Sequence, residues 1–345
     1  LKLVKPFCLS TTNRFKQFMV SKDMTKFQLI SSSESIKRSQ ITKHSNDMNC
    51  TNYLAKCFSV RLRGDDKMQR PHMWIKLPNQ DEIDCESITK GLKFLQDDSD
   101  LSIANTYLDS NGIEGSVLER QTYSKTAVNA NFWLHFGSWY DYKLAKHDIA
   151  RVFGQKGLMR IRTDAEPNIV KYVYATSYTI KPIGDFYHDA LFTIAFDNPS
   201  GLKYSLYRSD ELVNHQNDGK QFGMNLPKQS LNYHWSSSSI ECYNPSDITV
   251  DPYFGKRDIR TTIHFSGSSI KFENKTTGST WTYSQAATVN DTIVIDGINT
   301  YRNGDLDNGN TDYGYLSLAP GNNEIQITGP SSVDVTISFP FIYLE

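Results

Sequence analysis

The sequence predicts a mainly β protein in two folded parts, an α+β part with a single helix followed by an all-β sandwich or jelly roll. Three observations carry that reading. From Met73 onward the chain breaks into short runs rich in Tyr, Ile, Val and Phe, separated by polar turns. One segment, Asp141 to Phe153, has helical periodicity. Beyond Ile240 candidate strands recur at the spacing of roughly eight to twelve residues that suits a sandwich. A length of 345 residues also favours more than one core.

Residues 1–70 alternate small apolar clusters with Ser, Thr, Asn and Lys, and no cluster is long enough to name an element. They form a basic N-terminal arm, expected to be poorly ordered. Met73 to Leu77 reads as a strand that runs into the turn Pro78-Asn79-Gln80-Asp81. In the helix, Ala145, Ile149, Val152 and Phe153 fall on one face, with Asp141 placed to cap the start and Gly154 to close the end. Strands follow at Met159 to Thr163, Val170 to Ala175, Tyr178 to Lys181 and Leu191 to Phe196. The breaker Asp197-Asn198-Pro199-Ser200-Gly201 and the Asn, Gln, Ser and Gly of residues 216–239 then set a junction near Ser239. The expected division is thus 1–70, 71–239 and 240–345.

In the last part the expected strands are Ile248 to Val250, Arg260 to Phe265, Ser269 to Phe272, Thr280 to Tyr283, Thr292 to Ile295, Tyr315 to Leu318, Glu324 to Ile327 and Val333 to Phe339. Thr277-Gly278-Ser279, Asp296-Gly297, Asn308-Gly309-Asn310 and Pro320-Gly321-Asn322-Asn323 supply the turns.

Charge is unevenly spread. Residues 1–76 hold 15 Lys and Arg against 5 Asp and Glu, while the remainder holds 22 against 33. A basic head can meet nucleic acid, an acidic partner or its own acidic body, and a solvated arm is the simpler reading. No stretch approaches the roughly 20 apolar residues that cross a bilayer, and no signal-peptide pattern opens the chain. The expectation is a soluble protein without a membrane or nucleic-acid partner. Cys8, Cys50, Cys57, Cys85 and Cys242 are scattered and form no Cys-x-x-Cys pair, the pattern of reduced, buried thiols.

Motifs for chemistry are missing from the sequence. It contains no Gly-x-Ser-x-Gly, no Gly-x-x-x-x-Gly-Lys and no His-x-x-x-His, so hydrolytic, phosphate-loop and helical metal sites lack local support, and no catalytic, cofactor or metal residue is assigned. Glu273, Glu324 and Asp334 sit on expected strands, where sequence cannot pair them as a glycosidase requires. The acidic loop Asn303 to Asp312 alternates oxygen ligands as calcium does, but Asn310 and Leu316 fall where an EF-hand needs Gly and Glu, so an Asx-rich turn is preferred. Arg63-Gly64-Asp65 reads as an exposed turn. Trp281 and Tyr283 are the candidates for carbohydrate stacking, with core packing as the competing use.

The order of these parts resembles the phage distal tail proteins over roughly residues 73–345. The likeness rests on Asn111-Gly112-Ile113-Glu114-Gly115, the strand Val128 to Phe136, the helix end Ile149-Ala150-Arg151-Val152-Phe153, and the strand Lys171-Tyr172-Val173-Tyr174-Ala175. It continues in Ile263-His264-Phe265-Ser266-Gly267, Thr292-Ile293-Val294-Ile295-Asp296 and Leu316-Ser317-Leu318-Ala319-Pro320-Gly321-Asn322-Asn323-Glu324-Ile325. The resemblance implies an N-terminal belt domain that assembles side by side into a ring, a hexamer by family habit, and a galectin-like β-sandwich behind it. It implies a non-enzymatic baseplate subunit at the virion tail tip, without cofactor, between the tail tube protein and the tail-associated and receptor-binding proteins. The basic head has no counterpart in that pattern; a subunit-bridging arm is one use for it. The rival reading is a lectin-like module that holds host-wall glycan near Trp281; a glycan hydrolase has less support still.

Overall fold

Unbroken period-two alternation defines the main strand of the first sheet. In Thr126–His135 the residues Thr126, Val128, Ala130, Phe132 and Leu134 are buried while their neighbours face out, the signature of a strand with one covered face. The coordinates are a computed structural model that describes residues 70–344 apart from 110, 111, 113 and 216. All of these belong to one compact unit, Met68–Glu345. The basic head, Arg63-Gly64-Asp65 and three of the cysteines lie outside the described residues.

The chain lays down β1 (Met73–Lys76), β2 (Glu82–Asp84), β3 (Leu92–Ser99), β4 (Ile103–Asp109), β5 (Ser116–Tyr123) and β6 (Thr126–His135). Then come helix α1 (Trp139–Phe153), β7 (Met159–Thr163), β8 (Ile169–Ala175), β9 (Asp189–Asn198) and β10 (Lys203–Arg208). Seven of these strands form an antiparallel sheet in the order β2-β1-β7-β8-β9-β6-β3. α1 lies on its inner face through Tyr142, Ala145, Ile149 and Phe153. Phe132 sits at the centre, with ring centroids 5.7 to 5.8 Å from Phe94, Phe153 and Phe192. Such aromatic pairs add to the burial of their area.

The helix begins two residues before Asp141. Ser138 is the cap: its Oγ accepts from the Asp141 amide at 3.2 Å and donates to Asp141 Oδ2 at 2.9 Å. Asp141 instead stands in the first turn, where a carboxylate suits the positive end of the helix dipole. Gly154 follows the last helical residue.

The second half adds β11 (His234–Trp235), β12 (Ser239–Asn244), β13 (Arg260–Ser266), β14 (Ile270–Asn274), β15 (Thr280–Tyr283) and β16 (Ile293–Asp296). It ends with β17 (Asn299–Arg302), β18 (Asp305–Leu306), β19 (Gly321–Thr328), β20 (Ser332–Ser338) and β21 (Pro340–Tyr343). Two antiparallel sheets, β11-β20-β13-β16-β17-β18 and β12-β19-β14-β15, face each other across a core that contains Phe265, Phe272, Trp281 and Tyr283. The mainly β architecture with one α-helix among the described residues is the class expected from the sequence.

Three expected strands differ. Tyr178 to Lys181 is irregular although Ile180 is fully buried, because the Ile180 carbonyl accepts from the Tyr142 hydroxyl at 2.7 Å rather than from a neighbouring strand. Ile248 to Val250 and Tyr315 to Leu318 shrink to a single bridge, Val250 with Leu318. Side chains replace the ladder there: Asn244 Nδ2 donates to the Leu318 carbonyl at 3.0 Å, and Asn274 Nδ2 to that of Ser317 at 2.7 Å.

Candidate functional site

Trp281 and Tyr283 point into the sandwich. Trp281 is 1% exposed and Tyr283 is fully buried. Their rings stack on each other at 6.1 Å, and Phe272 meets Trp281 edge-on at 5.8 Å. Trp281 Nε1 donates to Thr300 Oγ1 at 3.1 Å, and the Tyr283 hydroxyl donates to Asp307 Oδ2 at 2.5 Å. Burial pushes the Tyr283 hydroxyl up to about 12, with the Asp307 hydrogen bond acting in the same direction. Neither ring offers a face to a sugar, so the stacking role assigned to them on sequence is corrected to core packing. In Thr280–Tyr283 the aromatic positions are the inward ones and the threonines face outward.

The acidic loop is held by its own donors. Asp307 Oδ1 accepts from Asn310 Nδ2 at 2.6 Å, Asn308 Oδ1 from the Thr300 amide at 2.6 Å, and Asp312 Oδ1 from the amides of Thr282 and Gly314 at 3.0 and 2.9 Å. Burial opposes ionisation of Asp312, but these amides outweigh it and hold its carboxyl below the usual carboxylate range. Glu273, Glu324 and Asp334 are engaged separately: Glu273 with Lys271 at 3.4 Å, Glu324 with Lys275 at 2.6 Å, and Asp334 with His234 at 3.3 Å. A shallow groove of about 480 Å³ on the outer sandwich sheet runs past Ser236, His264 and Asp334 and has no aromatic wall.

Asn323 is the organising residue of the Pro-Gly-Asn-Asn phrase. Fully buried, it accepts from the Ala319 amide at 2.9 Å through Oδ1 and donates to the Ala319 carbonyl at 2.8 Å through Nδ2. Its Oδ1 also accepts from Asn274 Nδ2 at 3.1 Å, which ties the turn to β14. Gly321 opens β19 at φ 86°, a backbone that side chains disfavour.

The two halves are joined by more than a linker. β21, the last strand, pairs with β10, and β10 in turn pairs with β8 of the first sheet. Ser205 Oγ accepts from the Phe341 amide at 2.9 Å, Ser209 Oγ from that of Phe339 at 3.1 Å, and Ser246 Oγ from that of Ile342 at 2.9 Å. Arg208 donates to the Ser338 carbonyl at 2.9 Å and pairs with Asp258.

Sequence reasoning missed the most exposed element. β4 and β5 form a two-stranded hairpin, separate from the other sheets, in which every residue is exposed. The available signal was the Asn111-Gly112 dipeptide between two strand-like runs, a hairpin turn by its chemistry; Gly112 and Gly115 both take φ of 87°. A second exposed surface lies where β6 meets α1: Trp139, Tyr140 and Leu144 are 58%, 80% and 64% exposed, and Phe186 nearby is fully exposed.

Residues 83–198, from β2 through β9, match the family model of the phage tail protein RIFT-related domain. Over these residues the first sheet with its helix is similar to that phage tail domain, and the resemblance read from Val128 to Phe136, Ile149 to Phe153 and Lys171 to Ala175 is borne out there. The fold of the longer chain is that of a siphophage distal tail protein. The crystal structure of SPP1 Dit, described as a paradigm of the hub adsorption apparatus in phages infecting Gram-positive bacteria, aligns with a TM-score of 0.56 at 12% identity, over 79% of this chain and 100% of that one. Structures of the phage p2 baseplate in its activated conformation, with strontium and with calcium, align at 13% identity over 78% and 79% of this chain and 98% of theirs, with TM-scores of 0.37 and 0.38. None of the curated proteins matches.

Proposed function

We propose that this chain is a non-enzymatic structural subunit of the tail tip of a long-tailed phage, a homo-oligomeric ring that connects the tail tube to tail-associated and receptor-binding proteins. The single observation that carries this is the match of residues 83–198 to a phage tail domain, in a chain of which 79% aligns with the whole of SPP1 Dit. Residues 71–239 are read as the ring-forming belt, 240–345 as a galectin-like platform, and 1–70 as a basic arm that bridges subunits. Rings close through heterologous contacts, so a belt needs two different adhesive surfaces. Six copies are the expected number.

The lectin-like alternative loses its residues with the burial of Trp281 and Tyr283. Light scattering on the purified full chain is the test. A closed species near six times 39.3 kDa is expected; a lone protomer at tail-assembly concentrations would overturn the ring.

A further inference from the structure

We propose that neighbouring copies of this chain join head to tail, the hairpin β4–β5 of one copy lying on the aromatic, lysine-bearing surface around Trp139, Tyr140, Leu144 and Phe186 of the next. This rests on the ring reading above and names the two surfaces that make the ring.

The hairpin is built to be covered. Ile103 pairs with Tyr123 and Tyr107 with Leu118, and residues directly opposite share a face, as do i and i+2 along a strand. The register shift between Thr106 and Tyr107 absorbs one residue of β5, so these four apolar side chains stay on one face on both sides of the bulge, with Leu108 and Val117 on the other. All four are exposed, at 48%, 36%, 54% and 49%. Among the described residues none packs on the hairpin; a bare two-stranded ribbon is marginal in water, and an uncovered apolar edge invites pairing with another chain. A second chain supplies the missing layer.

The receiving surface has the matching character. The groove beside it, about 650 Å³, is lined by Phe136, Trp139, Lys181, Phe186 and Tyr187. Phe186 holds its ring in solvent from a left-handed backbone at φ 64°, a conformation that costs a bulky residue on the order of 1 kcal/mol or more. Charge agrees as well. The hairpin carries Asp109, Glu114 and Glu119 against Arg120, whereas the surface carries Lys143, Lys146 and Lys181 against Asp185 and Asp141, the latter engaged with Ser138. Lys143 Nζ stands 4.8 Å over the Trp139 ring, its charge at the rim of the apolar area.

Position decides that the occupant is another copy. The hairpin joins β6 at Thr126 and the aromatic surface begins just past His135, at the opposite end of that ten-residue strand. At about 3.3 Å per residue the two lie roughly 30 Å apart. Two different, complementary surfaces at opposite ends of one rigid element make a heterologous contact, the kind that closes into rings.

The test uses the full chain and two variants, Tyr107→Asp with Leu118→Asp on the hairpin and Tyr140→Asp with Leu144→Asp on the helix. All four positions are exposed, so thermal melting of each variant's protomer is expected to match that of wild type. Each variant alone is expected to run as a protomer by light scattering, and a one-to-one mixture as a species of twice that mass, because one intact junction survives in the mixed pair. Lys143→Glu with Lys146→Glu, which removes no buried contact, is expected to lower the multimer fraction on its own. Wild-type multimers alongside variants of unchanged mass would overturn this contact and leave the ring standing. A mixture that stays protomeric would overturn the pairing of these two surfaces. A wild-type protomer would remove the ring reading itself, and this contact with it.

Discussion

Replacing Trp281 by Ala separates a core residue from a sugar platform. The side chain is 1% exposed, packs against Phe272 and Tyr283, and donates a hydrogen bond to Thr300 Oγ1 at 3.1 Å. Truncating a buried aromatic to Ala costs about 3 to 5 kcal/mol, and leaving the buried Thr300 hydroxyl without its donor adds to that. For a unit of this size each kcal/mol lowers the melting temperature by about 2 to 4 °C, so a drop of roughly 10 °C is expected. The assay is thermal unfolding followed by intrinsic fluorescence and circular dichroism at fixed protein concentration, since assembly would otherwise shift the midpoint. Phe222→Ala, at a fully exposed aromatic, is the control and is expected to stay within about 0.5 kcal/mol of wild type. A Trp281→Ala protein that melts within about 2 °C of wild type would refute the packing argument, and a selective loss of glycan binding without loss of stability would restore the lectin reading.

Glu82 bridges Arg160 at 3.0 Å and Arg162 at 2.6 Å; burial works against its ionisation, but the two guanidinium groups prevail and hold the carboxyl below its ordinary 4.5. A folded-state value below the unfolded one means its contribution is complete above that pH and is lost as pH falls through and below it. Glu82→Gln is thus expected to cost about 1 to 3 kcal/mol at pH 7, with the gap to wild type closing in urea titrations as acid is added. Ser138→Ala removes the helix cap and is expected to cost about 1 kcal/mol, measured the same way; no change would mean that Asp141 sustains the first turn alone. Cys85 and Cys242 are fully buried, and burial pushes both thiols up. Peptide mapping after brief alkylation is expected to find both unmodified in native protein and modified in urea, and rapid native labelling at either would contradict their placement.

How far the sequence disclosed this fold depends on whether a residue's environment shows in its neighbours. The helix was legible because Ala145, Ile149 and Phe153 repeat at helical spacing, and β6 because one face of it meets that helix. Its cap lies three residues earlier than expected, since Ser138 and Asp141 are both capping types and only the backbone distinguishes cap from first turn. β21 escaped notice because Phe341, Ile342 and Tyr343 are all buried, which erases alternation. The hairpin escaped for the opposite reason: none of the described residues covers it, so its apolar residues mark no core. At Trp281 and Tyr283 the strand itself was legible, but an alternating pattern does not say which face is inside when the outer positions are threonines. The surfaces argued to build the ring follow from exposure, a property that only the folded chain reveals.

The return of β21 to β10 limits what a platform built on this chain can do. To swing the sandwich away from the first sheet, the β10–β21 ladder must open and Phe339, Phe341, Ile342 and Tyr343, all buried, must meet water. At roughly 1.5 to 3 kcal/mol for each large apolar side chain exposed, with the serine-to-amide hydrogen bonds of Ser205, Ser209 and Ser246 in addition, that opening costs a substantial part of the stability expected of a whole domain. A hinge between the halves is therefore the wrong place to look for movement. Under the proposed assembly, rearrangement of the tail tip falls to contacts between copies and to the proteins carried on the platform, while each protomer turns as one piece. The two exposed surfaces at the ends of β6 are well suited to that division: they are not part of either hydrophobic core, so they can engage and release without unfolding anything behind them.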